Sequence, residues 1–165
     1  MSANTSESLN AAARILDRNA LIAQTRAAKE SGRTIVFTNG CFDVLHAGHI
    51  RYLQGASELG DILIVAINAD AQVRALKGVG RPILAAQERA ELVASLDVVD
   101  FVTIFAEPTV EQLLLVVQPD IHAKGTDYTE ETVPERDVVR SFGGRVAIVG
   151  DPKNHSTSEM LKRFK

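Results

Sequence analysis

Two histidines three residues apart, His46 and His49, are the side chains of this chain best spaced for chemistry. On a helix, positions i and i+3 share a face, so one turn aims both imidazoles at a common point. They sit in the stretch Phe37-Thr38-Asn39-Gly40-Cys41-Phe42-Asp43-Val44-Leu45-His46-Ala47-Gly48-His49. Thr34-Ile35-Val36 ahead of it is an apolar, β-branched run that predicts a buried strand. Behind it Ile50, Leu53, Ala56 and Leu59 recur at near-helical spacing. The stretch is therefore a strand-to-helix connection. Gly40 and Gly48 let the backbone turn tightly or approach a ligand closely. The start of the helix offers backbone N–H groups and the positive end of a dipole, which favour an anion. Two imidazoles at such a place predict a phosphate site.

The elements that must hold this stretch follow from the rest of the chain. The tail over residues 1–8 is polar and predicted to be disordered. Leu9, Ala13, Leu16 and Ala20 mark one face of a helical arm that runs to Lys29, and Ser31-Gly32 ends it. Apolar runs predict strands over 33–38, 62–67, 100–104, 120–124 and 145–149. Helices fall between them. Asn68-Ala69-Asp70 is expected to cap a short one ending near Leu76, and another covers 85–96. Pro108 and Pro134 are expected to open two more, and Ser156 with Glu159 has capping-box spacing for a last one.

Alternating strands and helices, with strands apolar throughout, predict a parallel sheet covered on both faces. The expected fold is α/β, a Rossmann-like doubly wound five-stranded sheet of order 3-2-1-4-5. Residues 1–32 form its tail and arm and 33–165 the domain proper. In such sheets ligands bind outside the carboxyl ends of the strands, where the order reverses. The first and fourth strands flank that point. Their carboxyl ends carry the histidine stretch and Lys124-Gly125-Thr126-Asp127-Tyr128, with Ser156-Thr157-Ser158 opening nearby.

A second cationic element is Lys77-Gly78-Val79-Gly80-Arg81-Pro82. Lysine meets a phosphate as a point charge, whereas arginine grips two oxygens. Composition narrows the partners. A net charge of −3 gives no basic face for nucleic acid. No apolar run approaches membrane-spanning length, and no signal peptide is visible. The single cysteine, Cys41, has no partner for an internal disulfide, which fits a reducing cytoplasm and a small buried hydrophobe. Arg89 is expected to be structural.

These residues carry a resemblance. Thr38-x-Gly40-x-Phe42-Asp43-x-x-His46-x-Gly48-His49 resembles the signature of the nucleotidyltransferase superfamily with the HxGH motif, which includes cytidylyltransferases and adenylyltransferases. The segments at Lys77 and Lys124 are similar to those of its sugar-phosphate branch, the heptose 1-phosphate adenylyltransferases above all. His155-Ser156-Thr157-Ser158 with Arg163 resembles the second superfamily motif more loosely. The resemblance implies transfer of AMP from ATP, with Mg²⁺ on its phosphates, to D-glycero-β-D-manno-heptose 1-phosphate. The products are ADP-heptose and pyrophosphate.

The same resemblance implies roles. His46 and His49 donate to ATP phosphates, and Lys77 neutralises phosphate charge. Arg81 is a candidate for the substrate phosphate. Thr38, Asn39, Gly40, Cys41, Phe42, Asp43 and Gly48 line the nucleotide, as do Lys124, Gly125, Asp127, Ser156, Thr157 and Ser158. Asp43 is also expected to cap the turn and orient the histidines. A homo-oligomer is expected, with no nucleic-acid or membrane partner. One alternative is a cytidylyltransferase using CTP and an alcohol phosphate such as glycerol phosphate. Another is a non-catalytic nucleotide-binding module, against which intact His46, His49 and Lys77 count.

Overall fold

The computed structural model describes residues 10–152 and 156–164. The polar tail over 1–8, Leu9 and His155 lie outside the described residues. Five parallel strands form one sheet: β1 (Ile35–Gly40), β2 (Ile62–Asn68), β3 (Phe101–Phe105), β4 (Ile121–Lys124) and β5 (Arg145–Ile148). Their order is β3-β2-β1-β4-β5, as expected from the sequence. The reversal therefore falls between β1 and β4, whose register pairs Phe37 with His122.

Eight helices are described: α1 (Ala11–Arg14), α2 (Arg18–Glu30), α3 (Ala47–Ser57), α4 (Asp70–Lys77), α5 (Ala86–Ala94), α6 (Glu111–Val117), α7 (Arg136–Ser141) and α8 (Thr157–Lys162). Successive strand residues point to opposite faces, so each apolar strand feeds two cores. Ile35, Phe37, Ile64 and Ala66 bury against Leu21 of α2, Leu113 and Leu114 of α6 and Val139 of α7. Val36, Leu63, Val65 and Ile67 bury against Leu53 and Ala56 of α3 and Ala90 and Val93 of α5. Each such large aliphatic side chain contributes roughly 1.5–3 kcal/mol by leaving water.

The N-terminal arm is not the continuous helix that its alanine-rich sequence predicts. It breaks over 15–17. Ile15 makes a parallel bridge to Val102, and the Leu16 N–H donates to the Val102 carbonyl at 2.8 Å. Asp17 then starts α2 as its N-cap, accepting from the Ala20 N–H at 2.8 Å. A capping aspartate and a sheet edge in need of hydrogen bonds outweigh alanine's helix preference here. Arg14 donates to the carbonyls of Ala94, Leu96 and Val99, so the arm packs on its own chain.

Several element starts also differ from expectation. Pairing with β2 carries β1 on to Asn39 and Gly40, so the signature begins inside the strand. Helix α4 has Ala69 at its N-cap, a residue with no acceptor to cap with, and Asp70 at the first helical position turns to Arg89 and the Ala86 N–H. Helices α6 and α7 begin after Pro108 and Pro134 rather than at them. Gly60 does close a tight turn: a Cβ there would lie 2.8 Å from the Val36 side chain and 2.9 Å from the Thr34 carbonyl. Among the described residues no helix is long and apolar enough to cross a membrane.

Candidate active site

The carboxyl end of β1 and the start of α3 place the two histidines. His46 is the N-cap of α3, in extended backbone conformation. Its Nδ1 accepts the Gly48 N–H at 3.1 Å, and Nδ1 of His49 accepts the His46 N–H at 3.3 Å. The pair is a capping box built from imidazoles, and the rings stack with centroids 3.8 Å apart and 25° between planes. Their convergence was expected from helical spacing. It arises instead from a cap and the third helical position facing each other. A neutral imidazole that accepts through Nδ1 carries its proton on Nε2. The helix cap thus sets both rings to donate through Nε2 without requiring a positive charge.

Phe42 supports His49 from below. It adopts a left-handed conformation with φ 47°, and its ring is buried 5.3 Å from the His49 ring. A Cβ on Gly40 would meet that ring at 3.0 Å, so the glycine is what lets Phe42 fold back. The Phe42 side chain therefore packs inward and leaves only its backbone to a nucleotide. Thr38 is fully buried beside the Tyr52 phenol, which donates to the Ala123 carbonyl at 2.8 Å. Burial pushes the Tyr52 phenol well above its usual range. Thr38 too offers a ligand its backbone only.

Asp43 departs from the role expected of it. Its side chain is 1% exposed, and its carboxylate accepts from Arg81 Nε at 2.5 Å, the Ile83 N–H at 2.7 Å and the Leu84 N–H at 3.0 Å. Burial alone would raise this carboxyl, but the Leu84 and Ile83 amides and the Arg81 guanidinium outweigh it and hold it below the ordinary value. In its described hydrogen bonds Asp43 fastens the segment carrying Lys77 and Arg81 to the signature, while the histidines orient each other. Arg81 is thereby committed through Nε to a carboxylate.

Lys77 ends α4 in an exposed position, followed by Gly78 at φ 95°. Its charge reaches the Cys41 thiol. Burial still pushes that thiol up, which disfavours a thiolate. Arg89 is structural, as expected. It is fully buried, donating to the Cys41 carbonyl at 2.6 Å, the Asn68 carbonyl at 2.8 Å, Asp70 at 2.8 Å and the Leu84 carbonyl at 3.0 Å. One guanidinium so ties together the ends of β1 and β2, the start of α4 and the loop before α5.

The end of β4 brings Lys124 to the same edge. Its Nζ lies 3.5 Å from Asn39 Oδ1, 3.8 Å from Glu135 Oε2 and 4.9 Å from the Tyr128 ring centroid. Burial holds the Lys124 ammonium below its usual range, and the Glu135 charge offsets part of that lowering. Gly125 has open space around it, and Asp127 is exposed. Thr126 donates to the Asp151 carbonyl at 2.8 Å, joining the loops after β4 and β5. Ser156 caps α8 by accepting the Glu159 N–H at 3.1 Å, and Thr157 donates to the Val44 carbonyl at 3.1 Å. The second motif therefore abuts the signature, with Ser158 exposed. His122 and Glu135 were missed by sequence reasoning. The available signal was a histidine and a lysine alternating within an otherwise apolar strand.

Residues 37–162 match the cytidylyltransferase-like family, and the chain belongs to it. The resemblance drawn from the HxGH signature is borne out. Among relatives, the chain is 49% identical over 150 residues to the bifunctional protein HldE of Pelobacter propionicus, covering 91% of this chain and 31% of that protein. It is 47% identical over 153 residues to the HldE of Geotalea uraniireducens, covering 93% and 31%. The chain thus spans about a third of the length of these relatives.

Among solved structures it is similar to a lipopolysaccharide core biosynthesis protein from Thermoplasma volcanium. That match has a TM-score of 0.65 and 28% identity, covering 74% of this chain and 100% of that one. A pantoate-beta-alanine ligase from Francisella tularensis, at TM-score 0.52 and 18% identity over 87% of this chain and 68% of that one, shares the fold.

Proposed function

We propose that this protein is an adenylyltransferase that moves AMP from ATP to D-glycero-β-D-manno-heptose 1-phosphate, releasing pyrophosphate and forming ADP-heptose. The observation that carries the transfer reaction is the mutually capped His46–His49 pair at the start of α3, beside the point where strand order reverses. The heptose assignment is supported by similarity to HldE proteins and to a lipopolysaccharide core biosynthesis protein.

The chemistry needs no covalent enzyme intermediate. An anionic oxygen of the sugar phosphate attacks the α-phosphorus of ATP in line. The bond from that phosphorus to the bridging oxygen breaks, and pyrophosphate leaves with the electron pair. No proton must be removed from the nucleophile. Catalysis then consists of bringing two anions together and stabilising charge on the phosphoryl oxygens. His46 and His49 donate through Nε2 to the triphosphate, and Lys77 adds a cation from the end of α4. Mg²⁺ arrives with the nucleotide as part of the substrate, held by its phosphates. On this reading the reaction runs in the cytoplasm, in a homo-oligomeric enzyme.

The test is pyrophosphate release measured for each nucleoside triphosphate against a panel of sugar and alcohol phosphates. Turnover requiring ATP, Mg²⁺ and heptose 1-phosphate together supports the proposal. Turnover with CTP and glycerol 3-phosphate, and none with ATP and heptose 1-phosphate, overturns the substrate assignment.

A further inference from the structure

The carboxyl edge of β1 and β4 holds a buried polar cluster that the transfer mechanism leaves unused. Phe37 pairs with His122 in register, so Asn39 and Lys124, each two residues further on, project from the same face of the sheet. That face is the one covered by α2, α6 and α7, opposite α3. Asn39 Oδ1 meets both His122 Nε2, at 3.0 Å, and Lys124 Nζ, at 3.5 Å.

Donor chemistry orders the cluster. An ammonium only donates, so the Asn39 atom facing it is the carbonyl oxygen. His122 Nε2 faces that same oxygen and must carry the ring proton. Burial, then the Lys124 charge, pushes the His122 imidazole from 6.5 down to about 3, so it is neutral in the physiological range. With its oxygen held from two sides, the Asn39 amide presents its NH₂ away from His122 and Lys124. Asn39 is half-buried and immediately precedes Gly40 of the signature.

Glu135, just ahead of α7, completes the cluster. Its Oε2 is buried and 3.8 Å from Lys124 Nζ, an ion-pair distance, with no hydrogen bond of its own. A buried carboxylate left without a hydrogen bond is costly unless a nearby charge compensates it. Its described partner is Lys124.

Taking the site as that of a nucleotidyltransferase, we propose that Glu135 is a positioning residue: it keeps Lys124 charged and seated against Asn39, so that the ammonium and the Asn39 amide together receive a phosphate oxygen of a substrate.

Among the described residues the charged and titratable groups facing Lys124 are few. His122 on its own strand is neutral. Tyr128 lies under the ammonium. Glu135 is the group that raises the Lys124 ammonium. Removing its charge must let Lys124 lose its proton at lower pH.

The experiment uses the full chain with whichever triphosphate and sugar phosphate the wild type turns over, so a failed heptose assignment leaves it intact. In Glu135→Gln the KM of one phosphate substrate is expected to rise by about tenfold or more, the loss typical of one hydrogen bond to a charged group. Turnover number changes less, and the alkaline limb of kcat/KM moves to lower pH. Measuring KM separately for the triphosphate and the sugar phosphate identifies which one Lys124 meets. The pKa of Lys124, read by NMR of its side-chain carbons, falls in the same variant. Glu135→Asp, with a shorter carboxylate, gives intermediate shifts and replaces Glu135→Gln should that variant fail to fold. A folded variant with both KM values, the alkaline limb and the Lys124 pKa unchanged overturns the proposal. So does a lowered melting temperature with unchanged kinetics.

Discussion

Nδ1 of His49 accepts the backbone N–H of His46 at 3.3 Å, so the second histidine of the signature holds the first in place. The bond has two consequences. It satisfies a backbone donor at the helix start, where four have no partner within the helix. It also puts the ring proton of His49 on Nε2, the atom assigned to the triphosphate. On the proposed assignment one side chain has both a structural and a catalytic function, and substitutions can separate them.

His49→Ala removes both. Turnover is expected to fall by at least about 10²-fold, the usual cost of one donor aimed at developing charge. Loss of the cap costs a further ~1 kcal/mol of stability. ATP affinity, measured by calorimetry without the sugar phosphate, falls far less if the contact strengthens in the transition state. His49→Asn keeps an acceptor and a donor, so part of both losses returns. A well-folded His49→Ala with near-normal turnover contradicts the catalytic role.

Asp43→Asn tests the clamp on the Lys77 segment. The substitution removes the charge facing Arg81 in a nearly water-free place. Breaking a buried pair from one side costs about 3–5 kcal/mol, and less here to the extent that the amide keeps some of the hydrogen bonds. Chemical denaturation should show the loss. Limited proteolysis should cut faster within 77–82, and the KM for ATP should rise. Unchanged stability together with unchanged cleavage would show that the segment is held by something else.

The strand order was legible in the sequence because apolar β-branched runs alternate with helical spacing, and that pattern admits few topologies. The histidine stretch was legible for the same reason: its residues are local and its spacing is dense. What escaped were interactions without local cause. Nothing near Asp43 says that Arg81, 38 positions away, will occupy its carboxylate. Asp17 was hidden by the alanines around it, although it is a strong cap. His122 and Glu135 come together only because β4 and the start of α7 meet beside β1.

Acid should destabilise the protein in two steps. Folded His122 is neutral down to about 3, whereas the unfolded chain takes up that proton below about 6.5. The unfolded state thus binds more protons between these values, and stability falls by up to a few kcal/mol as pH drops through the window. Asp43 adds a second loss. Its folded carboxyl is depressed, so its contribution is present above the ordinary aspartate value and disappears as pH falls below it. Melting temperature against pH should show both, and His122→Leu should flatten the upper step while sparing the lower. A profile flat from 6.5 to 4.5 in the wild type would contradict a buried neutral His122.

In the proposed reaction the sugar phosphate attacks the α-phosphorus of ATP. Heptose 1-phosphate labelled with ¹⁸O in its phosphate, incubated with ATP, Mg²⁺ and the protein, tests it in one ³¹P NMR spectrum. The expected products are a sugar-linked diphosphate ester that retains the label and unlabelled pyrophosphate. A spectrum showing ADP and a sugar bisphosphate, or label in the pyrophosphate, would contradict the proposed attack.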